Sequence, residues 1–104
     1  MAQLKEFWTE TAIRQRNYVF DYWNERNKST EYSKSLNVKI IERIFLLKQQ
    51  PKLCKKSDFK DIRLVSLGHY SILYKFDTQK IIIIGFWDNR QDPNRLLRFL
   101  QIEE

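Results

Sequence analysis

From Ile62 to Phe76 the chain alternates. Ile62, Leu64 and Val65 lead into Gly68, after which Tyr70, Ile72, Tyr74 and Phe76 fall on one face and His69, Ser71, Leu73 and Lys75 on the other. A period of two is a strand. After the polar turn Asp77-Thr78-Gln79-Lys80 comes Ile81-Ile82-Ile83-Ile84-Gly85-Phe86-Trp87, a β-branched and aromatic run too short to span a membrane. It reads as the innermost strand, antiparallel to its predecessor and covered on both faces. Phe59 to Leu67 is expected to form the strand before Gly68, whose missing Cβ permits a sharp turn.

Upstream the period lengthens. Leu4 to Trp8 reads as a first strand, and Thr9 as an N-cap followed by Glu10 where the helix dipole favours a negative charge. Ala12, Ile13, Val19, Phe20 and Trp23 recur at helical spacing through about Glu25, with Arg14, Gln15, Asp21 and Asn24 toward water. A polar turn across Asn24 to Thr30 joins this helix to a second one from about Ser29 to Gln49. There Tyr32, Leu36, Ile40, Ile44 and Leu47 form a stripe, broadened by Ile41 and Phe45, that reads as a core face. Pro51 ends it. Two helices with a short link pack antiparallel. Beyond Trp87, Asp88 to Asp92 is an irregular exit, and Pro93 opens a short helix with Leu96, Leu97, Phe99 and Leu100 on its apolar side.

The expected fold is therefore α+β, in the order β-α-α-β-β-β, with a two-helix hairpin on a small, mostly antiparallel four-stranded sheet and a short C-terminal helix. The hairpin covers one sheet face and leaves the other partly open as the working face. A fully covered isoleucine strand then requires the C-terminal helix or a partner on that second face.

Composition narrows the function. The 104 residues suit one domain, 1–104, with a single modest core. Nineteen Lys and Arg against 13 Asp and Glu leave a net charge of +6, which favours nucleic acid or an acidic protein as partner. Cys54 and His69 are the only residues of their kinds, so neither a disulfide nor a thiolate metal cluster is expected, and no metal or other cofactor. The start lacks the pattern of a signal peptide and no spanning helix is expected, so a cytoplasmic location is.

Metal-free cleavage of RNA through the 2′-hydroxyl needs a base, an acid and cations for the phosphorane. Lys60, Arg63, His69 and Arg90 supply that inventory if the meander brings them to one strand-edge groove; each also has an ordinary structural use, as an edge histidine or a chain-exit clamp. Lys52, Lys55 and Lys56 form a basic loop, and Arg95 and Arg98 can hold an acidic peptide or DNA or simply form the wet side of a helix. Tyr70, Tyr74 and Trp87 can stack on bases, although Tyr74 and Trp87 suit a core better. Asp88 and Asp92 flank Arg90, which favours local pairing over a metal or an acid–base pair. No phosphate loop, nucleophile elbow or zinc helix occurs.

Taken together, Phe7-Trp8-Thr9-Glu10-Thr11-Ala12, the helix ending at Gln50-Pro51, Ile62-Arg63 before His69-Tyr70-Ser71-Ile72-Leu73-Tyr74, and the isoleucine strand leading to Trp87-Asp88-Asn89-Arg90-Gln91-Asp92-Pro93 resemble the RelE/ParE superfamily of bacterial type II toxins over roughly residues 4 to 95. The resemblance implies a toxin neutralised by a cognate antitoxin that wraps over it. One branch cuts messenger RNA on the ribosome; the other poisons DNA gyrase. Where the RNA-cutting branch carries an arginine after the tyrosine matching Tyr70, this chain has Ser71, and where it often carries a lysine two positions before the strand arginine, this chain has Asp61. The departures favour the ParE-like branch. Under that reading Lys55, Lys56, Tyr70, Arg95 and Arg98 are the expected partner-binding residues, while Lys60, Arg63, His69 and Arg90 are catalytic only in the ribonuclease alternative. A toxin-like binding protein without toxicity is the third reading.

Overall fold

The computed structural model describes residues 4–53 and 61–103. Its elements run β1 (Lys5–Trp8), α1 (Glu10–Asn27), α2 (Glu31–Gln49), β2 (Arg63–Leu67), β3 (Tyr70–Phe76), β4 (Lys80–Asp88) and α3 (Pro93–Glu103). The β-α-α-β-β-β order with a closing helix is the one the hydrophobic pattern predicts. Phe59 and Lys60, expected to open β2, lie outside the described residues.

Local chemistry sets most boundaries. Thr9 accepts the Ala12 amide at 3.1 Å, so α1 starts with its N-cap satisfied. It runs two residues past Glu25 and stops where Lys28 turns left-handed (φ 51°), its amide reaching back to Asn24 O. The Ser33 hydroxyl, buried between the helices, lies 3.0 Å from Phe20 O and 2.7 Å from Asn24 Oδ1, which ties α2 to α1. Tyr74 on β3 donates its hydroxyl to Pro51 O at 2.8 Å, fixing the end of α2.

The sheet order is β1-β4-β3-β2, with β1 parallel to β4 and the other pairs antiparallel. The parallel pair is possible because the two helices and two strands between β1 and β4 supply the long crossover it needs. Gly68 (φ 64°) takes the first of the two turn positions between β2 and β3, as a II′-type hairpin requires. At the next turn Asp77 Oδ1 accepts the amides of Gln79 and Lys80 at 2.8 and 2.9 Å, and these bonds hold its carboxyl below the usual range.

Two cores result. Leu36, Ile40, Ile44 and Leu47 of α2 and Ala12 and Val19 of α1 bury against Val65, Tyr70, Ile72, Tyr74, Ile81, Ile83 and Phe86. On the second face Ile62, Leu73, Ile84 and Trp87 pack with Leu64, Ile82, Leu96 and Phe99. The α3 helix thus supplies the missing cover: Phe99 stacks on Trp87 at 5.8 Å and crowds Gly85 so closely that an added Cβ would lie 2.8 Å from its ring. Of the two covers that the isoleucine strand was expected to require, the C-terminal helix is therefore present on the face expected to be partly open.

The predicted breadth of the α2 core face is corrected. Ile41 and Phe45 stay 59% and 52% exposed, and with Val38 they form an apolar strip on the side of α2 turned away from the sheet.

Candidate functional site

The strand register breaks once, and that break shapes the site. Tyr74 pairs with Ile83 but Leu73 with Gly85, so Ile84 is an extra residue, a β-bulge. Beyond it the alternation changes phase. Phe86 joins the hairpin core and Trp87 turns to α3, where an unbroken strand would have done the reverse.

At the bulge β1 also ends. Trp8 opposes Ile83, the next amide, Thr9 N, donates to Ile83 O at 3.0 Å, and the Thr9 hydroxyl reaches Ile84 O at 3.4 Å. From Ile84 to Asp88 strand β4 therefore has β3 on one side and no strand on the other. A side chain partly fills the gap: Gln15 of α1 accepts the Phe86 amide on its Oε1 at 2.9 Å. Gln15 reads as a water-facing helix position, and nothing in the local pattern announces that it turns inward to satisfy a strand.

Beside this edge lies a cavity of about 770 Å³ between α1, the second half of β4 and the start of α3. That volume is in the range of small-ligand and peptide sites. Its floor is a stacked pair, Tyr70 on Phe86 at 5.1 Å, and the indole of Trp23 donates to the Tyr70 hydroxyl at 2.8 Å. Tyr18 and Tyr22 form an exposed aromatic rim, and Arg14, Arg90 and Arg95 bring three guanidiniums to the walls. Among the described residues one carboxylate, Asp88, lines it. Arg90 grips Asp88 as a fork, Nε to Oδ1 at 3.0 Å and Nη2 to Oδ2 at 2.9 Å, and this clamp holds the Asp88 carboxyl below its ordinary range. Among the described residues Arg14 bonds to the exposed Glu10 and Thr11 at 3.3 and 3.5 Å, a solvent-screened arrangement that releases easily. Among the described residues no carboxylate pairs with Arg95.

The residues singled out from sequence separate into groups. Tyr70, Arg90 and Arg95 meet in the cavity. His69 is exposed in the β2–β3 turn next to it, its carbonyl accepting the Asn89 amide at 2.8 Å. Arg63 is elsewhere: it opposes Tyr74, four strand positions or roughly 13 Å from Tyr70, and its guanidinium lies over Phe76 at 5.6 Å. Arg63 and Arg90 thus do not share a groove. Arg98 is exposed on α3 and does not line the cavity, while Lys55, Lys56 and Lys60 lie outside the described residues. Tyr74 and Trp87 are core residues. Asp88 is Arg90's partner and Asp92 caps α3 through the Asn94 amide at 2.9 Å. Ser71 is buried, its hydroxyl donating to Asn89 Oδ1 at 2.8 Å.

Among the described residues no helix is long and apolar enough to cross a membrane, and no cluster of His, Cys, Asp and Glu gathers as metal ligands.

Comparison with known proteins agrees with this architecture. A family model described as ParE toxin of type II toxin–antitoxin system, parDE, matches residues 7–93. A solved structure, described as a chromosomal ParDE toxin–antitoxin system from P. aeruginosa, superposes with a TM-score of 0.69 at 17% identity, covering 83% of this chain and 96% of that one. At that identity the likeness is one of fold. No curated protein matches. The family match takes in the end of β1, both long helices and strands β2 to β4, and on it the chain belongs to the ParE toxins of the RelE/ParE superfamily.

Proposed function

We propose that this ParE-family chain arrests growth by binding DNA gyrase and is neutralised by a cognate antitoxin. The observation that carries the reading is the family match over residues 7–93. Two features of the chain support the gyrase branch over the RNA-cutting one. Ser71, standing where that branch has an arginine, is buried and engaged by Asn89. Arg63 packs on Phe76, away from Arg90, so among the described residues the cations of a phosphoryl-transfer site do not converge.

Inducible expression in a bacterial host tests the reading, with transcript integrity and DNA damage followed in parallel. The proposal expects growth arrest with intact transcripts and DNA breaks that depend on gyrase. Arrest with cut transcripts and undamaged DNA would instead identify a ribosome-dependent ribonuclease, and harmless accumulation of folded protein a binding protein without toxicity. Co-expression of the protein encoded in the neighbouring reading frame is expected to restore growth.

A further inference from the structure

We infer that the end of the second sheet face farthest from Trp87 binds single-stranded nucleic acid, its phosphates held by Lys5, Lys75 and Lys80 and a base stacked on Phe7. The strand register brings these side chains together. Ile82 packs in the core under α3, and Phe7 on β1 and Lys75 on β3 are its partners across the strands, so all three leave the sheet on that face. Two residues earlier on β4 Lys80 does the same, and Lys5 lies directly opposite it. The patch measures roughly 10 Å across three strands and 7 Å along them. Phe99 of α3 covers the other end of the face, over Gly85 and Trp87, while Phe7 stays 50% exposed.

Three features select this ligand. First, Lys5 and Lys80 oppose each other on neighbouring strands, a like-charge pairing that costs stability unless an anion lies between them. Among the described residues no carboxylate pairs with Lys5, Lys75 or Lys80. Glu6 turns to the opposite face, where it accepts the Trp8 indole at 2.6 Å and pairs with the Lys48 ammonium at 3.3 Å. Asp77, in the turn before Lys80, commits Oδ1 to two backbone amides. Second, protection of an open edge does not account for the charges. Only Lys5 is on an edge strand, whereas Lys75 and Lys80 stand on the interior strands β3 and β4. Third, lysines around an exposed ring supply what a single strand needs: mobile point charges for phosphates and a π-face for an unpaired base. An open sheet face bearing aromatic rings is a platform on which such bases stack.

An acidic protein segment fits less well, because carboxylates match the planar forks of arginine and these four positions hold none. A duplex fits less well too, since its bases stay stacked on one another and leave Phe7 without a partner. None of the four residues lines the cavity beside the second half of β4, and the surface does not depend on gyrase being the target.

The probes are fluorescein-labelled oligothymidylate, oligouridylate and a mixed-sequence DNA duplex, titrated with the full chain by fluorescence anisotropy between about 0.05 and 0.2 M salt. The two single strands share the recognised chemistry, and the tighter of them identifies the source as DNA or RNA. Saturable binding of a single strand is expected, at least about fivefold tighter than that of the duplex. Lys75→Gln/Lys80→Gln should weaken it at least about tenfold at the lower salt. The same pair should flatten the log–log salt slope by about 1.4, two phosphate contacts at about 0.7 each. Lys34→Gln/Lys39→Gln on exposed α2 positions removes the same charge away from the patch and should leave affinity and slope unchanged. Phe7→Ala should lower affinity about fivefold or more at constant slope, because stacking releases no counterion. Circular dichroism of each variant confirms folding. Duplex bound as tightly as single strands, equal losses in the two charge-matched pairs, or undiminished affinity in folded Phe7→Ala would overturn the inference. So would a glutamate-rich peptide that binds more tightly than either oligonucleotide and is lost in Lys75→Gln/Lys80→Gln.

Discussion

The two halves of β4 divide the work of the molecule. Lys80 to Ile83 lies between β1 and β3, with backbone partners on both sides and core on the hairpin face. Ile84 to Asp88 keeps β3 but loses β1, and its free side borders an aromatic and cationic groove. One strand therefore serves first as support and then as the wall of a site. The bulge at Ile84 marks the change, because it reverses which face each later side chain takes.

The largest expected effect comes from breaking the first half. Ile83 is fully buried in the hairpin core, so Ile83→Ala should cost about 2–5 kcal/mol in urea unfolding, enough to remove much of the stability of a chain this size. In the second half the corresponding test is Gln15→Leu, which leaves the part-buried Phe86 amide without its acceptor. A loss of about 1–3 kcal/mol is expected. Faster amide exchange should appear at Phe86 first, while exchange at Ile81 and Ile83 follows global unfolding.

A smaller effect separates the two halves by pH. Asp77 pins the turn that feeds the first half, and the backbone amides of Gln79 and Lys80 lower its folded pKa. A lowered value means stability that is present above the ordinary carboxylate pKa of about 3.9 and lost as pH falls through the folded one. Urea midpoints of wild type and Asp77→Asn should therefore differ at neutral pH and converge below about pH 4. Asp88 also titrates low, held by Arg90, so loss of that clamp in acid should loosen the groove wall in the same direction. Smallest of all, Ile41→Ser on the outward side of α2 should change stability by no more than about 0.5 kcal/mol, since the side chain is more than half exposed.

Which parts were legible in the sequence follows from the same division. The alternation from Tyr70 to Phe76 and the Leu36, Ile40, Ile44, Leu47 stripe each carry a period that one burial pattern satisfies, and both took the predicted form. Four consecutive isoleucines have no period, so they indicated a covered strand without disclosing its bulge. Ile41 and Phe45 widened an apparent core stripe because apolar residues look alike whether buried or exposed. The candidate site was legible in part: Tyr70, Arg90 and Arg95 do meet, whereas Gln15, Tyr18 and Trp23 joined them only through the packing of α1 across the sheet. The grouping of Arg63 with Arg90 rested on strand order alone, and order does not give the distance along a strand.

The proposed function rests on contact with gyrase. The direct measurement is a DNA cleavage and supercoiling assay with purified chain, purified gyrase and plasmid. The account predicts that the chain blocks supercoiling and accumulates gyrase-linked DNA breaks in proportion to its concentration. Supercoiling and cleavage at the levels of the untreated enzyme, with the same preparation still arresting growth when expressed, would contradict it.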